Sequence, residues 1–533
     1  MPDRIRLNEG NRKWWTLAAM CFALFMIMLD NTVVNVALPS IQKDLHATLS
    51  SLEWTVNAYT LTFAVLLVTG GRLGDILGRR RMFLFGVVVF AASSAAIGFA
   101  PSQTLLVAGR AIQGIGGAFM MPGTLSIISN TFPAHERGRA IGTWAGVSAL
   151  ALALGPAVGG ALTEYVSWRA IFFLNLPVAV GAVAVTLFAA RESSDRTVER
   201  RIDYPGIATL SVSLTALVLA LVEGKSWGWG SAAIVSLLAT SVIGLALFAW
   251  VERHSRTPMV QFEFFKSRSF LGANAVGFIV SFAMLAMFFF IALYMQNILG
   301  YSPLEAGIRF LPSTLVIIVA APIAGRLADR IGPRPLMTFG LAMAALALFL
   351  QSRVTATSGY AELLPAFVIM GLGMGFTMSP MSTAAMNAVR PEKAGAASGM
   401  LSMSRMLGGT FGVAAGGALF QHLSSDRLAA KLSGLHLTAA QQSEIGAAMG
   451  TGRARQVLAG FDAHTSAQVG AAMKDGFVHA LSGALTLSCG VALIGAVIAF
   501  TLVESKKRLG AGAEAGAAQA IEPTVPTPEQ VAA

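Results

Sequence analysis

Fourteen stretches of roughly twenty mainly apolar residues follow one another along the chain. They lie at about 14–38, 52–71, 82–100, 103–126, 139–162, 168–190, 204–222, 231–251, 269–296, 306–325, 335–352, 361–388, 395–420 and 477–502. Each is long enough to cross a bilayer as a helix, and too long and continuous for a barrel strand. That series leaves one fold class open, an all-α polytopic membrane protein. Composition agrees: only 12% of the 533 residues are charged and the mean hydropathy is +0.66, whereas a soluble domain carries roughly 25% charge. The net charge of +11 is held in short basic clusters between the apolar runs, not on a nucleic-acid-binding surface. Cys21 and Cys489 both fall inside apolar runs, so no disulfide framework is implied. The basic start (Arg4, Arg6, Arg12, Lys13) leads into a long apolar run without a cleavage site. It reads as a retained first span rather than a signal peptide.

The basic residues orient the spans. With the N-terminus inside, the inner segments carry clusters such as Arg72, Arg79, Arg80 and Arg81, or Arg326, Arg330 and Arg334. The short outer loops carry only isolated cations such as Lys43, Arg169 and Lys225. Cytoplasmic loops are the lysine- and arginine-rich ones. Both termini of this multi-pass chain are therefore expected in the cytoplasm.

The chain also repeats itself. "GGRLGDILGRRR" at 70–81 returns as "AGRLADRIGPRP" at 324–335, an offset of 254. "GIGGAFM" at 114–120 returns as "GLGMGFT" at 371–377, and Gly142, Gly155 and "GGAL" at 159–162 return as Gly399, Gly412 and "GGAL" at 416–419, all at 257. These matches mean two homologous halves. They shift span 2 to 10, 4 to 12 and 5 to 13, by eight where two bare six-helix halves would shift by six. Spans 7 and 8 are thus an inserted pair. The expected organisation is an N-terminal segment 1–13, a six-helix half 14–190, a linker 191–268 with two extra spans, and a second half 269–503. That second half carries a long external loop at about 421–476, and a disordered cytoplasmic tail, 504–533, follows. An even shift gives the halves parallel orientation.

These residues resemble the major facilitator superfamily. "GGRLGDILGRRR" is similar to its loop 2–3 motif, and "LLVAGRAIQGIGGAFMMP" (105–122) to its fourth-helix motif with Arg110 as the basic residue. "ALGPAVGG" (153–160) is similar to its antiporter-associated fifth-helix motif. "LDNTVVNVALP" (29–39) and "SWRAIFFLNLP" (167–177) resemble signatures of the fourteen-span drug:proton antiporters. The resemblance implies a major facilitator fold of two six-helix halves plus two linker helices. It also implies proton-coupled efflux of drug-like or natural-product molecules from a bacterial inner membrane.

Asp30 lies roughly 12 Å below the outer surface in span 1, and Arg110 roughly 9 Å down span 4. A charge in a span costs at least ~2.5 kcal/mol and normally faces the bundle interior or a wet cavity. At the 257 offset Arg110 becomes Phe367, and span 9 has no acid, so neither charge is repeated. One reading makes Asp30 the proton-handling group, with Arg110 stabilising its ionised form; another makes the two a static tie between helices. Arg405, early in span 13 near the cytoplasmic side, reads as a snorkelling or carbonyl-bonding structural group, with a transport role as the alternative. Asn31, Asn35, Asn57, Tyr59 and Gln113 are the candidate cavity-lining polar groups, since unsatisfied polar atoms in hydrocarbon are costly. Among the twenty-three methionines, some suit an adaptable binding surface.

In the loop motif, Gly71 and Gly78 allow close helix approach. Asp75 is placed to accept from N–H groups at a helix start or to pair with Arg79, beside Arg80. Asp329 is its repeat copy, and together these form a cytoplasmic gate that holds one conformation and releases in the other. Gly155, Gly159 and Gly160 strip one face of span 5 for a neighbouring helix, and Pro156 removes a backbone hydrogen bond. Glu305 and Arg309 stand at the spacing of a local helix pair.

No metal-ligand spacing, nucleotide loop or catalytic cluster is present in the spans: "GKS" at 224–226 lacks the upstream glycine of a phosphate loop. No cofactor and no enzymatic activity are expected. The expected partners are a lipophilic small molecule, protons, the bilayer and an accessory envelope export protein, with no nucleic acid. A dedicated exporter of one natural product, a solute uptake permease and a lipid scramblase are the alternatives. A single acid in the membrane core favours neutral or monovalent cationic substrates.

Overall fold

The computed structural model describes residues 9–45, 49–195, 202–224, 227–255, 258, 262–432, 438, 441, 445, 457–458 and 460–504. Among these, α-helix dominates and no strand occurs. In chain order the helices are α1 (Glu9–Leu45), α2 (Leu49–Leu77), α3 (Arg79–Gly98), α4 (Gln103–Thr131), α5 (Ala134–Tyr165), the short α6 (Ala170–Phe173) and α7 (Asn175–Ala189). Then come α8 (Tyr204–Glu223), α9 (Ala232–His254), α10 (Arg268–Asn297), the short α11 (Pro303–Arg309) and α12 (Leu311–Ile331). The series closes with α13 (Pro333–Ser352), α14 (Tyr360–Asn387), α15 (Ala394–Leu432) and a final helix, α16 (Ala463–Leu502). Twelve of these carry a window long and apolar enough to cross a membrane. The long helices α5 and α15 pack among them, so fourteen long helices are described.

The duplication is visible in the corners as well as the helices. Gly78, with φ 114°, separates α2 from α3, and Gly332, with φ 89°, separates α12 from α13. Those dihedrals are ones an L-residue rarely adopts, so glycine permits a hard corner in each copy. Within each half the same pairs pack: α1 on α5 and α10 on α15, α2 on α4 and α12 on α14, α3 on α4 and α13 on α14. Between the halves, α5 packs on α12 and α2 on α15, the two contacts that an approximate two-fold relation exchanges. Helices α8 and α9 pack on each other, and α8 lies against α2 and α15. Helix α9 turns Val242, Ile243 and Trp250 outward, an apolar surface suited to lipid.

The stretch 421–476 begins and ends as helix rather than loop. Helices α15 and α16 have 39 and 40 residues, or about 60 Å each, roughly twice a hydrocarbon core. Their extensions hold each other through a separate small core of Leu428, Leu432, Val469 and Met473. An Arg427–Asp475 ion pair at 2.9 Å adds to it. The tail beyond 504, most of 433–456, and the side chains of Asn35 and Pro156 lie outside the described residues.

Candidate functional site

Asp30 projects from the middle of α1 and is almost fully buried, as is Arg110 on α4. Arg110 Nη1 donates to Asp30 Oδ2 at 2.5 Å. The other carboxylate oxygen, Oδ1, accepts from Gln113 Nε2 and Asn175 Nδ2, both at 3.0 Å. The same two amides also donate to Ser94 Oγ, at 2.7 and 3.2 Å. Arg110 is fixed on its other sides: Nε donates to the Thr55 carbonyl at 3.1 Å, and Nη1 to Gln113 Oε1 at 2.6 Å. Its guanidinium lies 4.3 Å from the centre of the Tyr59 ring. Five helices, α1, α2, α3, α4 and α7, therefore each contribute a group to one buried polar cluster.

The chemistry follows from the donors. Three N–H groups, from Arg110, Gln113 and Asn175, point at the Asp30 carboxylate. A proton reaching Asp30 removes a charge that the guanidinium neutralises and turns an acceptor into a donor with nothing to receive it. The cluster must then rearrange, because buried polar atoms left unmatched cost about 1–3 kcal/mol each. Removing one partner outright leaves an uncompensated buried charge, at about 3–5 kcal/mol.

Helix α1 is tied down on either side of Asp30. A side chain on Gly155 would collide with Thr32, and one on Gly159 would meet Val33 at about 3 Å, so α5 lies directly against α1. Gly160 is half-buried. Toward the end of α1, Asp44 accepts from Trp168 Nε1 at 3.0 Å and Arg169 Nη1 at 2.5 Å. The segment 167–177 thus holds two acids of α1, Asp44 through Trp168 and Arg169, and Asp30 through Asn175.

The second constellation lies at the arginine-rich end, between the halves. Asp75, fully buried, accepts from the Gly395 N–H at 2.9 Å and the Ala396 N–H at 2.7 Å, in the first turn of α15. Those N–H groups have no partner within their helix and sit at its positive end. Arg79 donates to Asp75 Oδ1 from Nε and Nη2, at 2.9 and 2.7 Å, and from Nη2 to the carbonyls of Pro391 and Glu392 at 2.7 and 2.5 Å. The repeat copy does the same in reverse. Asp329 accepts from the Gly138 and Arg139 N–H groups near the start of α5, at 3.0 and 3.2 Å. Gly71 faces Gly395, and Gly325 faces Gly138, so closely that a β-carbon on any of them would overlap backbone. Arg137 Nη1 adds a 2.5 Å bond to Asn387 Oδ1. In this conformation the arginine-rich end is closed by backbone against backbone.

Of the residues singled out in the sequence, the structure brings together Asp30, Arg110, Gln113 and Tyr59 in one cluster, and Gly71, Asp75, Arg79 and Asp329 in the other. Asn31 donates back to the Ile27 carbonyl at 3.0 Å, and Asn57 is half-buried on α2. Arg80 contributes its backbone N–H, which donates at 3.0 Å to Glu192 just beyond α7. Gly78 turns against that same carboxylate. The Glu305–Arg309 pair takes a different form: Glu305 caps α11 by accepting from the Ser302 N–H at 2.9 Å. Arg309 donates to the Glu305 carbonyl and lies 3.7 Å from the Tyr301 ring centre. Sequence reasoning missed Ser94, Asn175, Thr55 and Glu192. Asn175 stood inside a quoted motif, and being an amide in an apolar run was its only signal.

A family model described as the Major Facilitator Superfamily matches residues 20–413. The tetracenomycin C resistance and export protein of Streptomyces glaucescens is 34% identical over 493 residues, 92% of this chain and 91% of that protein. The puromycin resistance protein pur8 of Streptomyces alboniger is 36% identical over 502 residues, covering 93% and 92%. Among solved structures, the proton:xylose symporter XylE shares the fold, with a TM-score of 0.60 over 95% of this chain and 99% of that one at 13% identity.

Proposed function

The chain belongs to the Major Facilitator Superfamily, and from that premise we propose that it exports lipophilic small molecules in exchange for protons, by alternating access across a bacterial inner membrane. Its termini and its arginine-rich end face the cytoplasm in this reading, in keeping with the positive-inside rule. The full-length resemblance to resistance and export proteins supports the direction of transport.

The observation that carries the proton-coupling part is the buried Asp30–Arg110 pair. Its carboxylate is matched by donors on both oxygens, and its helix packs against α5, which in turn packs on α12 of the other half. Protonation releases Arg110; release frees α1 to move against α5; and α5 in turn is held at Asp329. The closed arginine-rich end makes this conformation the one that faces outward, in which Asp30 would take up its proton. The role in proton transfer is assigned to Asp30, with Arg110 as its counter-charge and Gln113, Asn175 and Ser94 as positioning residues.

The test is uptake into proteoliposomes of known orientation under an imposed pH gradient, with tetracenomycin C, puromycin and a cephamycin as probes. Wild-type protein is expected to concentrate at least one of them, and an uncoupler to abolish it. Asp30→Asn should lose gradient-driven uptake by at least about tenfold while inserting normally. Wild-type uptake by Asp30→Asn would defeat the coupling assignment.

A further inference from the structure

Arg405 is the third charge that the sequence places inside a span. Its side chain makes no hydrogen bond or ion pair among the described residues, and its Nε is buried without a partner. Its stem packs against Gly277 of α10, and no carboxylate is paired with it among the described residues. Yet the side chain is only half-buried, so part of it borders open space rather than a neighbour. Depth together with open space places it on an internal cavity.

Among the described residues the acids nearest in the fold are engaged elsewhere, Asp75 of α2 with Arg79 and Asp475 of α16 with Arg427. Helix α10 contains no Asp or Glu, α12 only Asp329, α14 only Glu362, and α15 none before Asp426. The two single acids stand near helix ends and are engaged there: Asp329 in the gate, and Glu362 with Ser358. The stem of Arg405 passes over the bare backbone of Gly277 on α10 and beside Met381 on α14. A bond from Ser404 Oγ to Asn274 Oδ1, 3.1 Å, fixes α15 to α10 next to it. Along α15, Arg405 stands roughly 15 Å from Gly395, inside the closed gate rather than within it. Arg72 is the useful contrast. It too has unpaired nitrogens, but it is 2% exposed and walled in, with no room for a ligand.

The charge arithmetic of the interior follows. Asp30 and Arg110 neutralise each other, and Arg405, unlike the fully enclosed Arg72, is a cation with no acid paired to it among the described residues and with part of its side chain open. A desolvated guanidinium without a counter-ion is costly, and its planar fork matches a carboxylate. We propose that Arg405 is the subsite for a carboxylate on the transported molecule, so that the carrier prefers lipophilic acids over neutral or cationic analogues of the same shape. This rests on the export reading and narrows its substrate class. It reverses the preference for neutral or cationic substrates expected from Asp30 alone.

The experiment is equilibrium binding to purified full-length protein, by fluorescence, of three probes with one ring system: 9-anthracenecarboxylate, its methyl ester and 9-(aminomethyl)anthracene. Wild-type protein is expected to bind the acid at least about tenfold more tightly than the ester, and the amine most weakly. In Arg405→Met the acid-to-ester ratio should fall to about one, and in Arg405→Lys most of the preference should remain. Size-exclusion profile and thermal unfolding check the fold of each variant. If Arg405→Met does not fold, Arg405→Gln and the wild-type ratio still decide. Equal affinities in the wild type, no binding of the acid, or a preference that survives loss of the guanidinium would overturn the assignment. Binding needs no proton gradient, so such a result leaves the export reading standing. Selective binding without gradient-driven uptake of any substrate counts against export alone.

Discussion

Asp75 and Gly395 are 320 residues apart in the chain, and the carboxylate of one accepts the backbone N–H of the other at 2.9 Å. The bond joins the two halves at the arginine-rich end, and Asp329 with Gly138 forms its counterpart across the approximate two-fold axis. Neither bond uses a side chain on the donating helix. The contact between the halves is therefore specified by where a helix begins and by the absence of β-carbons that would hold it away.

Asp75→Asn keeps the shape and removes the charge. One amide oxygen cannot serve two N–H donors and Arg79 as a carboxylate does. The closed state should lose about 1.5–3 kcal/mol, a shift of roughly ten- to a hundredfold toward opening at that end. Spin labels on exposed positions of α3 and α13, read as a distance distribution, will show it. A distribution identical to the wild type would remove Asp75 from the gate.

Gly71→Leu acts on the same seam by bulk. The added side chain runs into the Gly395 carbonyl, so the halves cannot meet there. The variant should insert and remain folded, accumulate in the form open at the arginine-rich end, and transport at least about tenfold more slowly. Full activity in vesicles would mean that the seam has slack.

How much of this could be read from the sequence differs between the clusters, for a physical reason. Asp30 and Arg110 announced themselves because a charge in an apolar run is expensive, and their depths matched because both were counted from span ends. Ser94 and Asn175 did not, because hydroxyls and amides are common in membrane helices and only the packing of α3 and α7 selects these two. The partners of Asp75 and Asp329 are backbone N–H groups, which carry no residue identity to search for. Their positions, 395 and 138, nevertheless differ by the duplication offset. Arg405 was visible as a charge, but a sequence does not show what surrounds the end of a long side chain.

Asn175→Leu tests the least legible member of the proton cluster. It removes a donor from Asp30 and one from Ser94, so the unfolding free energy should fall by about 1–3 kcal/mol. Gradient-driven transport should fall more than binding does, since the residue is assigned to hold Asp30 and not the cargo. A variant with normal transport and lowered stability would make Asn175 a structural brace only.

Glu136, at the start of α5, is hydrogen-bonded to Lys13 on α1, which holds its carboxyl below the usual range. A depressed folded-state value means the contribution is present above the unfolded value, near 4.3, and is lost as pH falls through the folded one. Wild-type protein should unfold at a slightly higher temperature than Glu136→Gln at pH 7, and the gap should close on acidification below pH 4. The pair is half-exposed, so the gap is small. A gap that widens in acid would contradict the tie.

The paired extensions of α15 and α16 give the molecule a landmark. A bundle of fourteen apolar helices with a near-symmetric core offers little to distinguish one end or one half from the other once surrounded by detergent. This protrusion belongs to the second half alone, stands clear of the belt, and carries its own ion pair on its surface. It supplies the asymmetric mass that lets single-particle images be aligned, and an epitope or protease site placed there reports the sidedness of every vesicle in which transport is measured.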